Sequence, residues 1–263
     1  MKRMPPCAGT EMENIMGERK LISAGQHEVY KVDDTAVKVF AKDFPKAEVL
    51  NEALNTARVE DLGLHIPRIL AVSVVEDGRW AITKEFVNGK TLHQLMQENP
   101  DKIDEYLDKM VDLHLEVHSK RCPLLNKLKE KMVRQIQSLD SINEITRYDL
   151  LTRLDGMPKH NKLCHGDFSP HNIIVDGDDW YIIDWVHATQ GNASADVART
   201  YLLLALEDLD MAYKYLNLFC EKTNTPKGYV QGWLPLVAAA QMTKNRPEER
   251  ELLQTWINVC DYE

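Results

Sequence analysis

The sequence predicts an α+β fold: a small N-terminal antiparallel sheet lobe with one helix, then a larger, mainly helical lobe. Three observations carry this. Short apolar runs separated by Asp, Asn and Gly turn signals fill the first 86 residues. Long stretches with apolar residues at helical spacing fill most of the remainder. Asn88-Gly89 marks the change of character. The chain is therefore expected to divide into lobes at 1–87 and 88–263.

Strands are expected at 29–32 and 36–40, on either side of the turn cluster Asp33-Asp34-Thr35. A helix is expected over 45–62, where Val49, Leu50, Ala53, Leu54 and Ala57 fall at helical spacing. Gly63 ends it and Pro67 prevents its resumption. Strands at 69–75 and 80–86 flank Glu76-Asp77-Gly78-Arg79, in which Asp-Gly is the hairpin signal. Past a connector near 84–90, the periodicity of Ile103, Tyr106, Leu107, Met110, Leu113 and Val117 predicts a helix over 101–119. Helices at 123–139 and 142–154 follow. A third hairpin is expected around Asp176-Gly177-Asp178-Asp179. Helices then resume at 196–207, 209–221, 230–243 and 247–259, the last opening on Pro247 with Glu248-Glu249 in its first turn.

With 263 residues, 44% of them apolar, the chain can bury a sizeable core. Its net charge of −9 argues against nucleic acid as a partner, because no basic field is available to displace counterions. Cys7, Cys122, Cys164, Cys220 and Cys260 are odd in number and contain no C-x-x-C pair. They read as free thiols of a reducing cytoplasm. Met1-Lys2-Arg3 is followed by Pro5-Pro6-Cys7-Ala8-Gly9-Thr10, which is no apolar signal segment, and no apolar run approaches about 18 residues. A cytoplasmic protein with no membrane or nucleic-acid partner, monomeric or weakly dimeric, is the expectation.

The chemistry concentrates in residues 165–185. Asp167, Asn172 and Asp184 stand among runs of strand-forming residues, with Asn172 five positions after Asp167 and Asp184 closing the apolar run Trp180-Tyr181-Ile182-Ile183. Phosphoryl transfer from ATP needs such a set. One carboxylate accepts a hydroxyl proton, while an amide and a second carboxylate hold Mg²⁺ on the phosphates. Lys38 alternates with apolar residues in Ala36-Val37-Lys38-Val39-Phe40, and Glu52 lies in the following helix. A lysine in a half-buried strand ordinarily points to solvent. A strand-to-helix Lys–Glu pair is also the device that fixes the α- and β-phosphates. Glu48, one turn earlier, competes with Glu52 for that place. Ser23-Ala24-Gly25-Gln26-His27-Glu28-Val29-Tyr30 occupies the place of a phosphate-covering loop, but its single glycine fails G-x-G-x-x-G and suits an ordinary hairpin turn almost as well. His114 and His118 lie one helical turn apart without the glutamate of H-E-x-x-H, so packing is preferred over zinc. His165 is expected to orient backbone. Ser169 lacks a G-x-S-x-G elbow and reads as a loop serine. Asp196 is expected to cap a helix N-terminus and to brace the catalytic loop.

His165-Gly166-Asp167 with Asn172, then Ile182-Ile183-Asp184-Trp185, then Gly191 and Asp196-Val197-Ala198, resemble the aminoglycoside phosphotransferase and choline kinase group of small-molecule kinases. The resemblance spans roughly residues 20–260. It implies a two-lobe, protein-kinase-like fold with ATP (or GTP) in the cleft. It further implies Asp167 as catalytic base, Asn172 and Asp184 as Mg²⁺ ligands, and Lys38 with Glu52 as the phosphate-clamping pair. Glu85-Phe86-Val87 would meet the adenine. The phosphate loop departs from the protein-kinase pattern in being glycine-poor, and Trp185-Val186 replaces Phe-Gly.

The function expected is ATP-dependent transfer to a small-molecule hydroxyl. A protein kinase is disfavoured, since only twelve residues separate Asp184 from Asp196 and no A-P-E is present. A non-catalytic nucleotide-binding regulator is the other alternative, although each base and metal residue is in place. Charge suggests a cationic acceptor: residues 1–86 hold 12 basic and 14 acidic residues, and the remainder 20 and 27. Glu207, Asp208, Asp210, Glu221, Asp261 and Glu263 exemplify the excess, and Trp185, Tyr201, Trp233 and Trp256 could face a cation. Amino-sugar antibiotics, with a resistance role, stand ahead of choline-like amino-alcohols.

Overall fold

The computed structural model describes residues 19–25 and 27–257. The leader reading of residues 1–10, Cys7, Gln26, the last residues of the 247–259 helix, Cys260, Asp261 and Glu263 lie outside them. The chain forms two compact units, Met1–Ala53 with Pro67–Val87 and Leu54–Ile66 with Asn88–Glu263.

The first unit is built on β1 (Lys20–Ala24), β2 (Glu28–Val32), β3 (Thr35–Val39), the first half of α1 (Lys46–Val59), β4 (Ile69–Val74) and β5 (Trp80–Glu85), the rest of α1 being counted with the second unit. The strands form one sheet in the order β1-β2-β3-β5-β4, antiparallel throughout. The turn cluster at Asp33 works as its residues suggest. Asp33 adopts φ 49°, and the Thr35 hydroxyl donates to the Val32 carbonyl at 2.7 Å. At the other hairpin Gly78 takes φ 84°. α1 carries Glu48 in its first turn and Arg58 in its last, complementing the helix dipole. A single tight turn at Glu60–Leu62 then closes on Gly63 at φ 73°. Phe40, Val49, Ala53 and Ile82 form the small core, with Phe44, Ile69, Val72 and Trp80 packed around it. β1 was not expected from the sequence. It is an edge strand whose five residues are all exposed, so no burial imposes an alternating pattern on it.

In the second unit β6 (Lys90–Thr91) leads into α2 (Leu92–Glu98), and α3 (Ile103–Ser119), α4 (Leu128–Gln137) and α5 (Glu144–Gly156) follow. β7 (Lys162–Cys164) pairs with β10 (Thr189–Gly191), and the hairpin β8 (Ile173–Asp176) and β9 (Asp179–Ile182) lies between them in sequence. α6 (Ala193–Ala205), α7 (Leu209–Thr223), α8 (Lys227–Gln231), α9 (Leu234–Met242) and α10 (Arg250–Ile257) complete the described residues. α2 starts on a capping box between Thr91 and Gln94.

Three expectations are corrected here. The helix expected from residue 123 begins at Leu128, because the carbonyls of Pro123 and Leu125 accept from the Gln190 side chain and that of Asn126 from its amide. The helix expected over 230–243 is two, since Pro235 has no amide to continue a helix and sits in the first turn of α9. The helix expected to start at Asp196 starts at Ala193, and its cap is Asn192, whose side chain accepts from the Ser194 amide at 2.9 Å.

α6 and α9 run through the core of this unit, with nearly all of their residues buried. Trp185, Trp233, Tyr215, Leu107, Met110 and Leu154 are among its fully buried side chains. Each large apolar side chain so placed contributes roughly 1.5–3 kcal/mol. A helix fixed this firmly can hold charged groups in register, and α6 carries Asp196 and Arg199.

Candidate active site

β7 delivers the chain to a loop, residues 165–172, that is pinned from below. Asp196 is buried and accepts from four donors. Oδ2 takes the His165 amide at 2.8 Å, His114 Nε2 at 3.0 Å and His118 Nε2 at 3.1 Å, and Oδ1 takes the Gly166 amide at 2.8 Å. Burial alone would raise the Asp196 pKa, but the His114 and His118 hydrogen bonds hold it well below the carboxylate range. His114 passes its other nitrogen to the Tyr215 hydroxyl at 2.6 Å, and burial, then His118, push its pKa down to about 3. The two histidines are therefore packed donors on a carboxylate, and His114 stacks on Phe168 with ring centroids 4.0 Å apart. The expected brace is present; the expected cap is not.

His165 orients the loop. Its Nε2 donates to the Ile183 carbonyl at 3.0 Å, and Nδ1 accepts from the Asp167 amide at 3.2 Å. Gly166 has φ 80°, and an added Cβ would meet the His187 carbonyl oxygen at 2.6 Å. Both the conformation and the space require glycine.

The hairpin positions the remaining polar groups. Ile173 of β8 pairs with Ile182 of β9, and the Ile183 amide donates to the Asn172 carbonyl at 2.9 Å. Asn172 and Asp184 thus flank the same end of one ladder. Asn172 Nδ2 donates to the Asp167 carbonyl at 2.8 Å and to Asp167 Oδ2 at 3.2 Å, so its own amide oxygen is turned away from those bonds. Asp184 adopts the left-handed φ 63°, ψ 64°, a conformation that is uncommon for a residue other than glycine. Its Oδ1 is buried and accepts no hydrogen bond. A buried carboxylate oxygen left without a donor is costly. An amide oxygen and an orphaned carboxylate oxygen suit a hard divalent cation such as Mg²⁺.

Asp167 faces cations. Arg199 Nη2 lies 3.4 Å and Lys244 Nζ 3.7 Å from its Oδ1. Burial would raise its pKa, but Lys244, Arg199, His187 and His165 outweigh that and bring it to about 2. Lys131 Nζ donates to the His187 carbonyl at 3.2 Å. Lys131, Arg199 and Lys244 were not singled out from sequence. Arg199 could have been, as a charge three positions after Asp196 in an apolar helix. Lys131 could have been too, because it lies one turn from Leu128 on a helix whose apolar face it interrupts.

In the first unit Lys38 Nζ meets Glu52 Oε2 at 2.7 Å, and Lys84 Nζ lies 3.5 Å from Glu52 Oε1. Glu52 is buried and Glu48 is exposed, so the geometry brings Lys38 to Glu52. Ser23 lies in β1 opposite Val29, and the Gly25 amide donates to the His27 carbonyl at 3.2 Å, which makes this segment a hairpin. Glu85 ends β5 with its carboxylate accepting from the Arg68 amide at 3.0 Å, and Val87 is the last residue of the unit.

The residues behind the cationic-acceptor expectation have the following places. Trp185, Tyr201 and Trp233 are buried in the core. Asp208 caps α7, and Glu207 accepts from His171 at 3.0 Å on the surface. Cys122, Cys164 and Cys220 are free and buried. No described helix is long and apolar enough to cross a membrane.

Residues 18–217 match the model of a family described as the phosphotransferase enzyme family. No curated protein matches the chain. Solved structures do. A thermostable mutant of aminoglycoside phosphotransferase APH(4)-Ia, in a ternary complex with ADP and hygromycin B, superposes with a TM-score of 0.66 at 13% identity, covering 91% of this chain and 90% of that one. An aminoglycoside-3'-phosphotransferase of type VIII gives 0.61 at 18% identity over 85% and 93%. A choline/ethanolamine kinase family protein from Mesorhizobium loti gives 0.59 at 12% identity over 97% and 86%. The fold is the protein-kinase-like fold of these enzymes.

Proposed function

The chain belongs to the phosphotransferase enzyme family, and we propose that it transfers the γ-phosphate of ATP to a hydroxyl of a small molecule at Asp167. The observation that carries the residue assignment is the loop itself. Asp167 is held by Asn172 on one oxygen and by Arg199 on the other, above a carboxylate brace that fixes the backbone on both sides of Gly166.

Asp167 orients the acceptor hydroxyl. The hydroxyl oxygen attacks the γ-phosphorus, the bond to the β–γ bridging oxygen breaks, and the electron pair leaves with ADP. The hydroxyl proton passes to an Asp167 carboxylate oxygen. With a pKa near 2 this carboxylate is a weak base, so the proton moves late, as the new P–O bond forms. A loose transition state tolerates that, because it asks for positioning more than for early deprotonation. Asn172 and Asp184 would hold Mg²⁺, which supplies charge neutralisation on the phosphates. Lys38, tied to Glu52, would engage the α- and β-phosphates, and Lys84 on the same carboxylate supports that arrangement. Glu85 and Val87 would present backbone to the adenine, and Ser23 and Gly25 would lie over the phosphates. The ADP in the compared complex supports ATP as the donor.

The test is ADP release by purified protein given ATP, Mg²⁺ and a panel of hydroxyl compounds. Acceptor-dependent release with a phosphorylated product is expected. Tight ATP binding with no transfer to any acceptor would assign the chain to a regulatory, non-catalytic role instead.

A further inference from the structure

Resting on the phosphotransferase reading of Asp167, we propose that the hollow beside it binds an anionic group of the acceptor, a carboxylate or phosphate, through Lys131, Arg199 and Lys244. The acceptor class becomes a hydroxyl compound that carries its own negative charge. This reverses the expectation drawn from overall charge.

Size is the first argument. The hollow measures about 60 Å³, and its polar and charged lining is Lys131, Gln135, His187, Asp196, Arg199 and Lys244. One water needs roughly 10–15 Å³ by this measure. The space suits several waters, or one carboxylate or phosphate group. Its lining comes from the 165–172 loop, the turn at His187, α4, α6, α9 and the residues just after α9. None of it comes from the unit that carries Lys38.

Charge is the second argument. The carboxylates nearest this hollow are already engaged. Asp196 accepts from His114, His118 and two backbone amides. Glu249 accepts from Gln241 at 2.6 Å and from Arg246 at 2.9 Å. Asp167 offers one oxygen to both Arg199 and Lys244, at 3.4 and 3.7 Å. Lys131 has only the His187 carbonyl as its partner among the described residues, and no described carboxylate forms an ion pair with it. Three partly or fully buried cations thus stand against two carboxylates, Asp167 and Asp196, and Lys131 forms an ion pair with neither. Desolvated charge of one sign is unfavourable until a counter-charge joins it. The strain is visible in Lys131, whose pKa falls to about 8 through burial, then Arg199 and Lys244. His187, held to a pKa of about 3 by burial and by Lys131, is neutral and adds nothing to the balance.

The chemistry that fits is charge-assisted hydrogen bonding, with a planar guanidinium and two ammonium groups around two or three anionic oxygens. Such a grip would also place a neighbouring hydroxyl of the same molecule against Asp167.

A matched panel tests this: glucose, glucosamine, gluconate and glucose 6-phosphate as acceptors, with binding of inorganic phosphate measured calorimetrically in the presence of a non-hydrolysable ATP analogue and Mg²⁺. An anionic acceptor should exceed glucose and glucosamine by at least about tenfold in kcat/KM. Lys131→Gln and Lys244→Gln should each raise the anionic acceptor's KM, and the phosphate Kd, by about tenfold or more, with little change in KM for ATP. Lys131→Arg, which keeps the charge, should restore most of the affinity and guards against a folding artefact. Preference for glucosamine overturns the proposal, as does a failure of phosphate to bind once the nucleotide site is filled. Raised KM for ATP with an unchanged acceptor KM would assign the cations to the nucleotide. Absence of transfer to every acceptor, with phosphate still bound through Lys131, would sink the phosphotransferase assignment of Asp167 and leave the anion site standing.

Discussion

Asp167 sits between opposed influences: burial raises its proton affinity, while Lys244 and Arg199 lower it further than burial can offset. Its carboxylate is ionised at any working pH, so no acidic limb above about pH 4 in the rate profile should come from it. Replacing it with asparagine should reduce turnover by roughly 10²–10⁴-fold with ATP affinity nearly intact. Near-wild-type turnover in Asp167→Asn would refute the assignment. Asp184 should behave differently. Asp184→Ala removes the buried oxygen that lacks a donor, so Mg²⁺-dependent ATP binding should weaken along with turnover. An unchanged Mg²⁺ titration would place the metal elsewhere. Asp167, Asn172 and Asp184 were legible in the sequence because a local loop and a hairpin fix their spacing. Lys131 and Lys244 were not, because they reach the same place from α4 and from the turn after α9, and only tertiary packing brings those segments together.

Elements punctuated by turn chemistry were the easiest to read. The hairpins at Asp33 and Gly78 and the stop at Gly63 follow from residues that tolerate positive φ. The split of α8 from α9 was equally available, since Pro235 is in plain view, but an unbroken apolar run masked it. β1 offered no pattern because it buries nothing. Two tests act on single elements. Gly166→Ala would force a Cβ against the His187 carbonyl at positive φ. A stability loss of about 1–3 kcal/mol, seen as a lower melting temperature, should accompany loss of turnover. The link between β3 and α1 can be measured by combining Lys38→Ala with Glu52→Gln. If the pair acts as one unit, the double mutant should be little worse in turnover than Lys38→Ala alone. Strictly additive effects would show that the two do not act together.

For the whole molecule, the buried histidine beneath the loop predicts how the protein fails in acid. His114 titrates near 3 when folded, against about 6.5 when unfolded. The unfolded chain therefore binds the extra proton first. Stability should be complete above about pH 6.5 and decline as pH falls toward 3, with Asp196 adding to the loss because its folded pKa is also depressed. Melting temperatures measured from pH 7 to 4 should fall, and Tyr215→Phe, which removes the hydroxyl beside His114, should alter the steepness. A flat profile over that range would mean that His114 is not held neutral. At the alkaline end, Lys131 makes ligand binding a proton-counting event. Its ammonium is half-dissociated near pH 8. A bound anion would draw its proton affinity back toward the ordinary lysine value, so about half a proton should be taken from solvent for each anion captured at that pH. Titrations in buffers of different ionisation heat would then give apparent enthalpies that rise or fall with the buffer. In Lys131→Gln those lines should collapse onto one.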